Sequence, residues 1–440
     1  MSSHPLAVFL TNDLSAISRG RAFPASDIAS RRRSGVGWVP ANLALTPFGV
    51  IAPDHPFGPV GDLRLMADHS AGDGVQISGF GAERNLTAFL CDVRQTDGSE
   101  WAGCGRTLLK RALADLQAES GLGVSASFEH EFLLSGLSGR APQAFSVHDL
   151  RAAQPFAEAL VAALDAAGAE PEMILPEYGP GQFEVTLKPA GGLQAADRAV
   201  LLREITRDVA RQMGLKATFA PIVDPQSVCN GVHLHLSLLR PDGGNATADL
   251  SRPGEVSEAA GSFVAGVLRH LPALCAVLAP STISYLRLTP HRWSAGFTAF
   301  GHRNREAAVR ICPTIDLPGF DRARQIHLEF RAADAAASPY LVLAFVLRAG
   351  LQGLREKLPA PPLVEGDPAD LDAAEAARLG VRRLPESLAD ALAALQADAV
   401  ALAWLPEPMR SAYFAIKRAE LSMVGGLAPA EQCARYAAAY

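Results

Sequence analysis

The sequence predicts an α+β fold: a small β-rich N-terminal domain over residues 1–103 and a larger α+β domain over residues 104–440. Three observations predict it. The first hundred or so residues are short strand-like pieces ("LAVFLT", "FGVIA", "LTAFLCDV") broken by Gly, Pro and Asp. Beyond them, helical and strand-like periodicities alternate. Several of the later strand-like pieces carry charged or imidazole side chains at every second position, a polar face opposite an apolar one.

The first helix is "GRTLLKRALADLQAESGLG", with Leu108, Leu109, Ala112, Leu113 and Leu116 at helical spacing and glycines at its end. "SVHDLRAAQPFAEALVAALDAAG" opens with Ser146 and Asp149 in a capping-box-like start. A third helix runs through "AADRAVLLREITRDVARQMG". "PAPPLVEGDPAD" (359–370) is a loop, and "PESLADALAALQ" begins a C-terminal helical stretch with Ser387 as N-cap and Asp390 three residues later.

Composition narrows the function classes. With 49% hydrophobic and 20% charged residues the chain is an ordinary globular protein. A net charge of −6 leaves no basic footprint for nucleic acid and no polybasic patch for a membrane surface. The six cysteines form no C-x-x-C pair and read as reduced thiols of a cytoplasmic protein. The longest apolar run, "YLVLAFVL" (340–347), is too short to span a bilayer, and no signal peptide is visible. There is no P-loop, so ATP, if bound, is held another way.

The polar strand faces carry the chemistry. In "SFEHEFLL", Glu129 and Glu131 share one face and Phe128 and Phe132 the other. "GQFEVTL" groups Gln182, Glu184 and Thr186; "VHLHLSL" groups His233, His235 and Ser237; "HLEFRAAD" groups His327, Glu329 and Arg331; "YLRL" places Tyr285 with Arg287. Lysine, the usual filler of a solvated strand, is nearly absent from these faces. Glu177 precedes a Gly179-Pro180-Gly181 turn that brings it back toward Glu184. Glu129, Glu131, Glu177, Glu184 and Glu329, converging with His233, cannot all stay ionised without compensating cations. An oxygen-rich set with one imidazole suits Mg²⁺ or Mn²⁺, and more than one ion. His233-x-His235 could also be half of a zinc site, but these strand pieces hold no thiolate and no third histidine lies nearby in the sequence; structural ion pairs with Arg303, Arg305, Arg310 and Arg331 are the other alternative for the same residues. Metal ligands beside arginines are what phosphoryl transfer requires.

On these blocks, together with "PEYGPGQFEVTL", "NGVHLHLSL", "ISYLRLTPH…GHRNREAAVRI" and "HLEFRAADAAASPYLVLAFVLRAGLQG", the chain resembles the glutamine synthetases of bacterial type and their ligase relatives over nearly its whole length. The resemblance implies an N-terminal β-grasp domain and a catalytic domain whose curved antiparallel sheet forms a funnel backed by helices. It implies a homo-oligomer, commonly a dodecamer, with active sites between subunits. By motif, Glu131, Glu177 and Glu184 would hold one metal, and Glu129, His233 and Glu329 the second. Arg287 and Arg331 would grip L-glutamate, with the backbone at Asn230 and Gly231 approaching it. Arg305 and Arg310 would stabilise the phosphoryl group, and His235 and Ser237 would contact ATP, with Arg310 close to the nucleotide phosphates.

Departures from the family pattern direct the choice of substrate. The flap position that carries an ammonium-binding glutamate in the family is Trp293 here, in "LTPHRWSAG". The N-terminal aspartate of the family's ammonium site is also missing, since residues 28–53 hold no Asp or Glu. An ammonium ion without carboxylates is poorly held, whereas Trp293, and with it Trp38, would suit a larger amine by stacking or cation–π contact. No tyrosine lies between Tyr340 and Tyr413 to be adenylylated, and His327 stands where the family often has an arginine. The sequence therefore reads as an ATP-dependent ligase forming a γ-glutamyl amide from L-glutamate and a small organic amine through γ-glutamyl phosphate. The alternatives are an ammonia-dependent glutamine synthetase and a non-catalytic relative serving as a binding or scaffold protein.

Overall fold

A computed structural model describes residues 4–68, 74–77, 86–137 and 143–440. The N-terminal sheet contains β1 (Leu6–Asn12), β2 (Ser18–Pro24), β3 (Val36–Trp38), β4 (Leu63–Ala67), β5 (Val75–Ile77) and β6 (Leu86–Gln95). Its order is β2-β1-β6-β4-β3, with β5 against β6, and β1 runs parallel to β6. "LAVFLT" and "LTAFLCDV" are thus central strands. "FGVIA" is not a strand: Thr46 and Gly49 close a tight turn, Gly49 takes φ +78°, and Ile51 makes one isolated bridge to Leu45. Glycine in that turn wins over the β-branched residues beside it.

The second sheet contains β7 (Gly123–Ser135), β8 (Pro171–Pro176), β9 (Gln182–Leu187), β10 (Ala190–Gly191), β11 (Lys216–Thr218), β12 (Val232–Leu239), β13 (Phe297–His302), β14 (Ala307–Ile311) and β15 (Leu328–Phe330). Its order is β13-β14-β15-β12-β7-β9-β8, with β10 and β11 also on β7. Among the described strands every pairing in it is antiparallel except β13 with β14, which is parallel, so the sheet is mixed rather than wholly antiparallel.

The helices form as their sequences predict. Gly105–Ser120 ends at Gly121 in the left-handed conformation. Ser146 accepts from the Asp149 amide at the start of Val147–Ala166, and Ser387 does the same for Asp390 at Leu388–Ala397. Glu258–Leu278 is long and apolar enough to cross a bilayer, yet most of it is buried inside the protein. "YLRL" departs from expectation: Ser284–Arg287 is a helical turn, with the Tyr285 hydroxyl donating to the Cys275 carbonyl.

One hydrophobic core runs through both sheets, from Phe9 and Phe89 through Phe128 and Phe132 to Phe345 and Tyr413. It covers the apolar faces of β7 and β12 and leaves their polar faces turned away from it. Between the sheets, buried Arg106 donates to Asp68, Asp92 and Asp197, tying β6 to two helices. Trp38 is 8% exposed and belongs to this core, so within the chain it is a packing residue and not the wall of an amine pocket.

Candidate active site

Strand register assembles the site. Glu184 on β9 lies opposite Glu131 on β7, Glu129 lies opposite His233 on β12, and His235 lies opposite Glu329 on β15, which in turn faces Arg310 on β14. Side chains at opposed positions share one face of the sheet, so the register alone lines up these groups across five strands. Ser237 continues the face two residues beyond His235, opposite Ser125.

Two clusters of ligand atoms result, each within 4.8 Å: Glu129, His233 and Glu329, and Glu129, Glu131 and Glu184. His233 Nδ1 is 2.6 Å from Glu129 Oε1 and 3.6 Å from Glu329 Oε1. Glu131 Oε2 accepts from the Gly231 amide at 2.8 Å. Glu177 sits on the turn between β8 and β9 and lies outside both clusters, but close enough that the Glu131 and Glu129 charges act on it. The Glu177 amide donates to the Gln182 carbonyl, and Gly181 takes φ +69° with the Leu134 carbonyl packed where a side chain would be.

The electrostatics divide the carboxylates. Burial pushes Glu184 up to about 10, with Glu129, Glu131 and Glu177 adding repulsion. Burial and the Glu131 charge push Glu177 up to about 7, and burial also raises Glu131. Burial works upward on Glu129 as well, but His233 and His235 hold it well below the ordinary carboxylate value. Against the same upward pull, Arg331, His233, His235 and Arg310 bring Glu329 down to about 2. Glu329 is 1% exposed and is contacted by the Arg331 and Arg310 guanidiniums together. The chain's own cations therefore satisfy the Glu329 end, while the Glu131–Glu184 end holds more carboxylate than it can ionise by itself. That is the donor chemistry hard divalent cations fit.

The opposite rim is built from tight backbone. Gly231 leaves no room for a Cβ, which would meet Arg287 Nη2 at 2.8 Å and His233 Nε2 at 2.9 Å. Asn230 is buried, bonded to the Ala220 carbonyl and to Gln182 Nε2. Arg287 is 2% exposed; its Nη2 donates to the Arg331 carbonyl, and its Nη1 has no partner among the described residues. Arg305 is exposed, and its carbonyl accepts from Arg331 Nε.

Trp293 stands on a strained flap. His291, Trp293 and Ala295 take φ of +63°, +51° and +68°, a conformation costly for side-chain-bearing residues. Neighbours hold it there: Arg331 Nη2 donates to the Trp293 carbonyl, Arg292 to the Ser227 and Pro225 carbonyls, and the Ser294 hydroxyl to the Arg287 carbonyl. The Trp293 ring is 49% exposed and meets Tyr178 edge-on at 5.4 Å; Tyr178 meets Phe145 at 5.0 Å. Sequence reasoning missed three contributors. Tyr178 sits in the block "PEYGPGQFE" beside Glu177. Gln182, which the sequence places only on a polar face, bonds Asn230 and the Cys229 carbonyl. Glu306, buried, accepts the Trp293 amide at 2.9 Å, and no local pattern marked it.

Comparison with known proteins agrees with this geometry. The sequence model of the glutamine synthetase N-terminal domain matches residues 2–101, and that of the glutamine synthetase catalytic domain matches residues 102–431. The chain belongs to the glutamine synthetase family. It is accordingly an ATP-dependent carbon–nitrogen ligase, of a family that uses ATP and divalent metals. A gamma-glutamylpolyamine synthetase, GlnA3 of Streptomyces coelicolor, is 39% identical over 428 residues, covering 94% of this chain and 89% of its own. The glutamine synthetase of Methanocaldococcus jannaschii is 32% identical over 348 residues, covering 77% and 75%. Among solved structures, a glutamine synthase homolog superposes with TM-score 0.92 at 46% identity, over 100% of this chain and 99% of that one. A GmaS/ADP complex superposes with TM-score 0.82 at 26% identity, over 97% and 95%.

Proposed function

We propose that the protein joins the γ-carboxylate of L-glutamate to an organic amine at the expense of ATP. The observation that carries this reading is Trp293. A half-exposed indole in an aromatic row occupies the flap, and Glu306, a carboxylate at the flap, is taken up by the Trp293 amide. Such a wall favours an alkylammonium or a carbon chain over a bare ammonium ion. The similarity to a gamma-glutamylpolyamine synthetase supports the same choice and makes polyamines the first amines to try.

In this reading Arg287 and Arg331, with the backbone at Asn230 and Gly231, hold glutamate. His235 and Ser237 contact ATP. A γ-carboxylate oxygen attacks the terminal phosphorus and ADP leaves, with Arg305 and Arg310 stabilising the transferring group. The amine nitrogen attacks the acyl carbon of γ-glutamyl phosphate, phosphate leaves, and the nitrogen loses a proton. Divalent cations, one at Glu131, Glu177 and Glu184 and one at Glu129, His233 and Glu329, would neutralise phosphate oxygens and align the transfer. Residues 1–103 form the N-terminal domain and 104–440 the catalytic one, in a ring-shaped homo-oligomer, with a dodecamer as the expected size. Exposed Val50, Ile51 and Val60 on the N-terminal domain support a subunit contact there.

The test is phosphate release from Mg-ATP and L-glutamate across ammonium, alkylamines, ethanolamine, polyamines and aromatic amines, with each amide checked by mass. Turnover with an organic amine well above that with ammonium is expected. Trp293→Ala is expected to raise the KM for that amine about 10-fold, the scale of one aromatic or cation–π contact, with the KM for glutamate little changed. Best turnover with ammonium, in wild type and variant alike, would make the protein a glutamine synthetase.

A further inference from the structure

His235, Cys312 and His327 form a cluster of which the proposed ligase chemistry uses His235 alone. They come from three adjacent strands: His235 on β12, Cys312 directly after β14, and His327 directly before β15. The Cys312 amide donates to the His327 carbonyl, which extends the β14–β15 ladder and fixes the two side chains side by side. His327 Nε2 is 3.1 Å from His235 Nδ1, and Cys312 Sγ is 3.9 Å from that same nitrogen. All three ligand atoms lie within 4.8 Å of one another.

The outer nitrogen of His327 is committed to oxygen, with Nδ1 2.8 Å from the Gln325 carbonyl. His235 Nε2 lies 3.4 Å from Glu129 Oε2 and is buried without a hydrogen-bond partner among the described residues. With its N–H turned to the Gln325 carbonyl, His327 presents a lone pair inward at His235 Nδ1. Ring nitrogens this close share either a proton or a metal ion, and the neighbouring thiol supplies the metal with a third donor. The outer carbonyl and carboxylate are also the partners that orient histidines bound to metals. Zinc with N and S bonds near 2.0 and 2.3 Å has tetrahedral edges of about 3.3 Å between nitrogens and about 3.6 Å from nitrogen to sulfur. The observed 3.1 and 3.9 Å sit on either side of those lengths.

We infer that His235, Cys312 and His327 make a soft-metal site that takes Zn²⁺, separate from the carboxylate clusters that suit Mg²⁺. Thiolate and imidazole select zinc over magnesium, and the thiol gives up its proton on binding. The Cys312 sulfur also lies 3.7 Å from Glu329 Oε2 and 3.9 Å from Arg310 Nη2. If the ligase reading holds, zinc bound here ties up His235 and inhibits in competition with ATP.

Cobalt reports the site without reference to activity. Co²⁺ titrated into the full-length protein in excess Mg²⁺ is expected to give a thiolate-to-cobalt charge-transfer band that saturates at one ion per chain and is bleached by Zn²⁺. Cys312→Ser is expected to lose the band, and His327→Gln to keep it with Co²⁺ affinity lowered about 100-fold or more, on the scale set by loss of a metal's supporting or direct ligand. Cys229→Ser, removing the one cysteine that is only half-buried, should leave it unchanged. A band that survives Cys312→Ser, its absence from the wild type, or His327→Gln binding Co²⁺ as wild type does would each overturn the site. A normal band with ATP-independent zinc behaviour in the activity assay would leave the site standing and count against the ligase-inhibition step alone.

Discussion

Glu329→Gln is expected to lower kcat/KM about 10³-fold. The substitution keeps the shape of the side chain and removes its charge. In the wild type that charge is held at about 2 on the pKa scale, despite burial, by Arg331, His233, His235 and Arg310, so it is present at every working pH. Arg310 and Arg331 both direct a guanidinium nitrogen at it, and His233 Nδ1 lies 3.6 Å away. A neutral amide leaves two buried guanidiniums without an anion, and breaking such a pair costs about 3–5 kcal/mol. That cost falls on stability; the rate loss comes from taking a preorganised charge out of the proposed metal and phosphoryl site, for which about 4 kcal/mol of transition-state stabilisation is about 10³ in rate. Arg331 also holds the Trp293 carbonyl, so its displacement reaches the flap. The measurement is phosphate release against Mg²⁺ concentration, with the melting temperature recorded alongside. A variant within 10-fold of wild type, with unchanged Mg²⁺ dependence, would remove Glu329 from the proposed metal set.

The parts of this site legible in the sequence are those set by period two. Glu129 with Glu131, His233 with His235, and Glu329 with Arg331 each declare a strand face, because alternation is local. Register is not local. That Glu129 is common to both ligand clusters follows from Glu129 lying opposite His233 while Glu131 lies opposite Glu184, and nothing within "SFEHEFLL" states either pairing. Tyr285 and Arg287 misled for a related reason: four residues fit one helical turn as well as a short strand, and the surrounding core decided. The neighbourhood of Cys312 is equally non-local: His235 and His327 reach it only through strand pairing, and His235 is 77 residues away. Trp38 shows the converse. An aromatic residue beside a missing acidic motif invited a substrate role, and the three-residue strand β3 instead turns it into the core.

The surplus of carboxylates also makes a statement about stability without metal. A carboxyl group whose pKa is higher in the folded than in the unfolded protein stabilises the fold fully below its unfolded value. It loses that contribution as pH rises through the folded value. Glu177 at about 7 and Glu184 at about 10 both lie on that side of the ordinary glutamate value, each raised first by burial and then by neighbouring carboxylates. The metal-free protein is therefore expected to lose melting temperature as pH rises from about 5 to about 10, between the ordinary glutamate value and the raised values of these two groups. Divalent ions reverse the loss, because they bind the ionised site and displace its protons. At about 100 times its dissociation constant an ion adds about 2.7 kcal/mol, or about 3 °C for a protein of this size. That gap should be wider at about pH 8.5 than at about pH 6, where protons already occupy the carboxylates. Glu184→Gln should raise the melting temperature of the metal-free protein at the alkaline end while weakening Mg²⁺ or Mn²⁺ binding, since it removes a repelling charge and a ligand together. Calorimetry in buffers of different ionisation enthalpy should find proton release on Mg²⁺ binding near neutral pH, reduced in Glu177→Gln. A melting-temperature gap that is independent of pH, with no protons released, would mean that these carboxylates are neutralised by the chain itself and that the cluster is an ion-pair network.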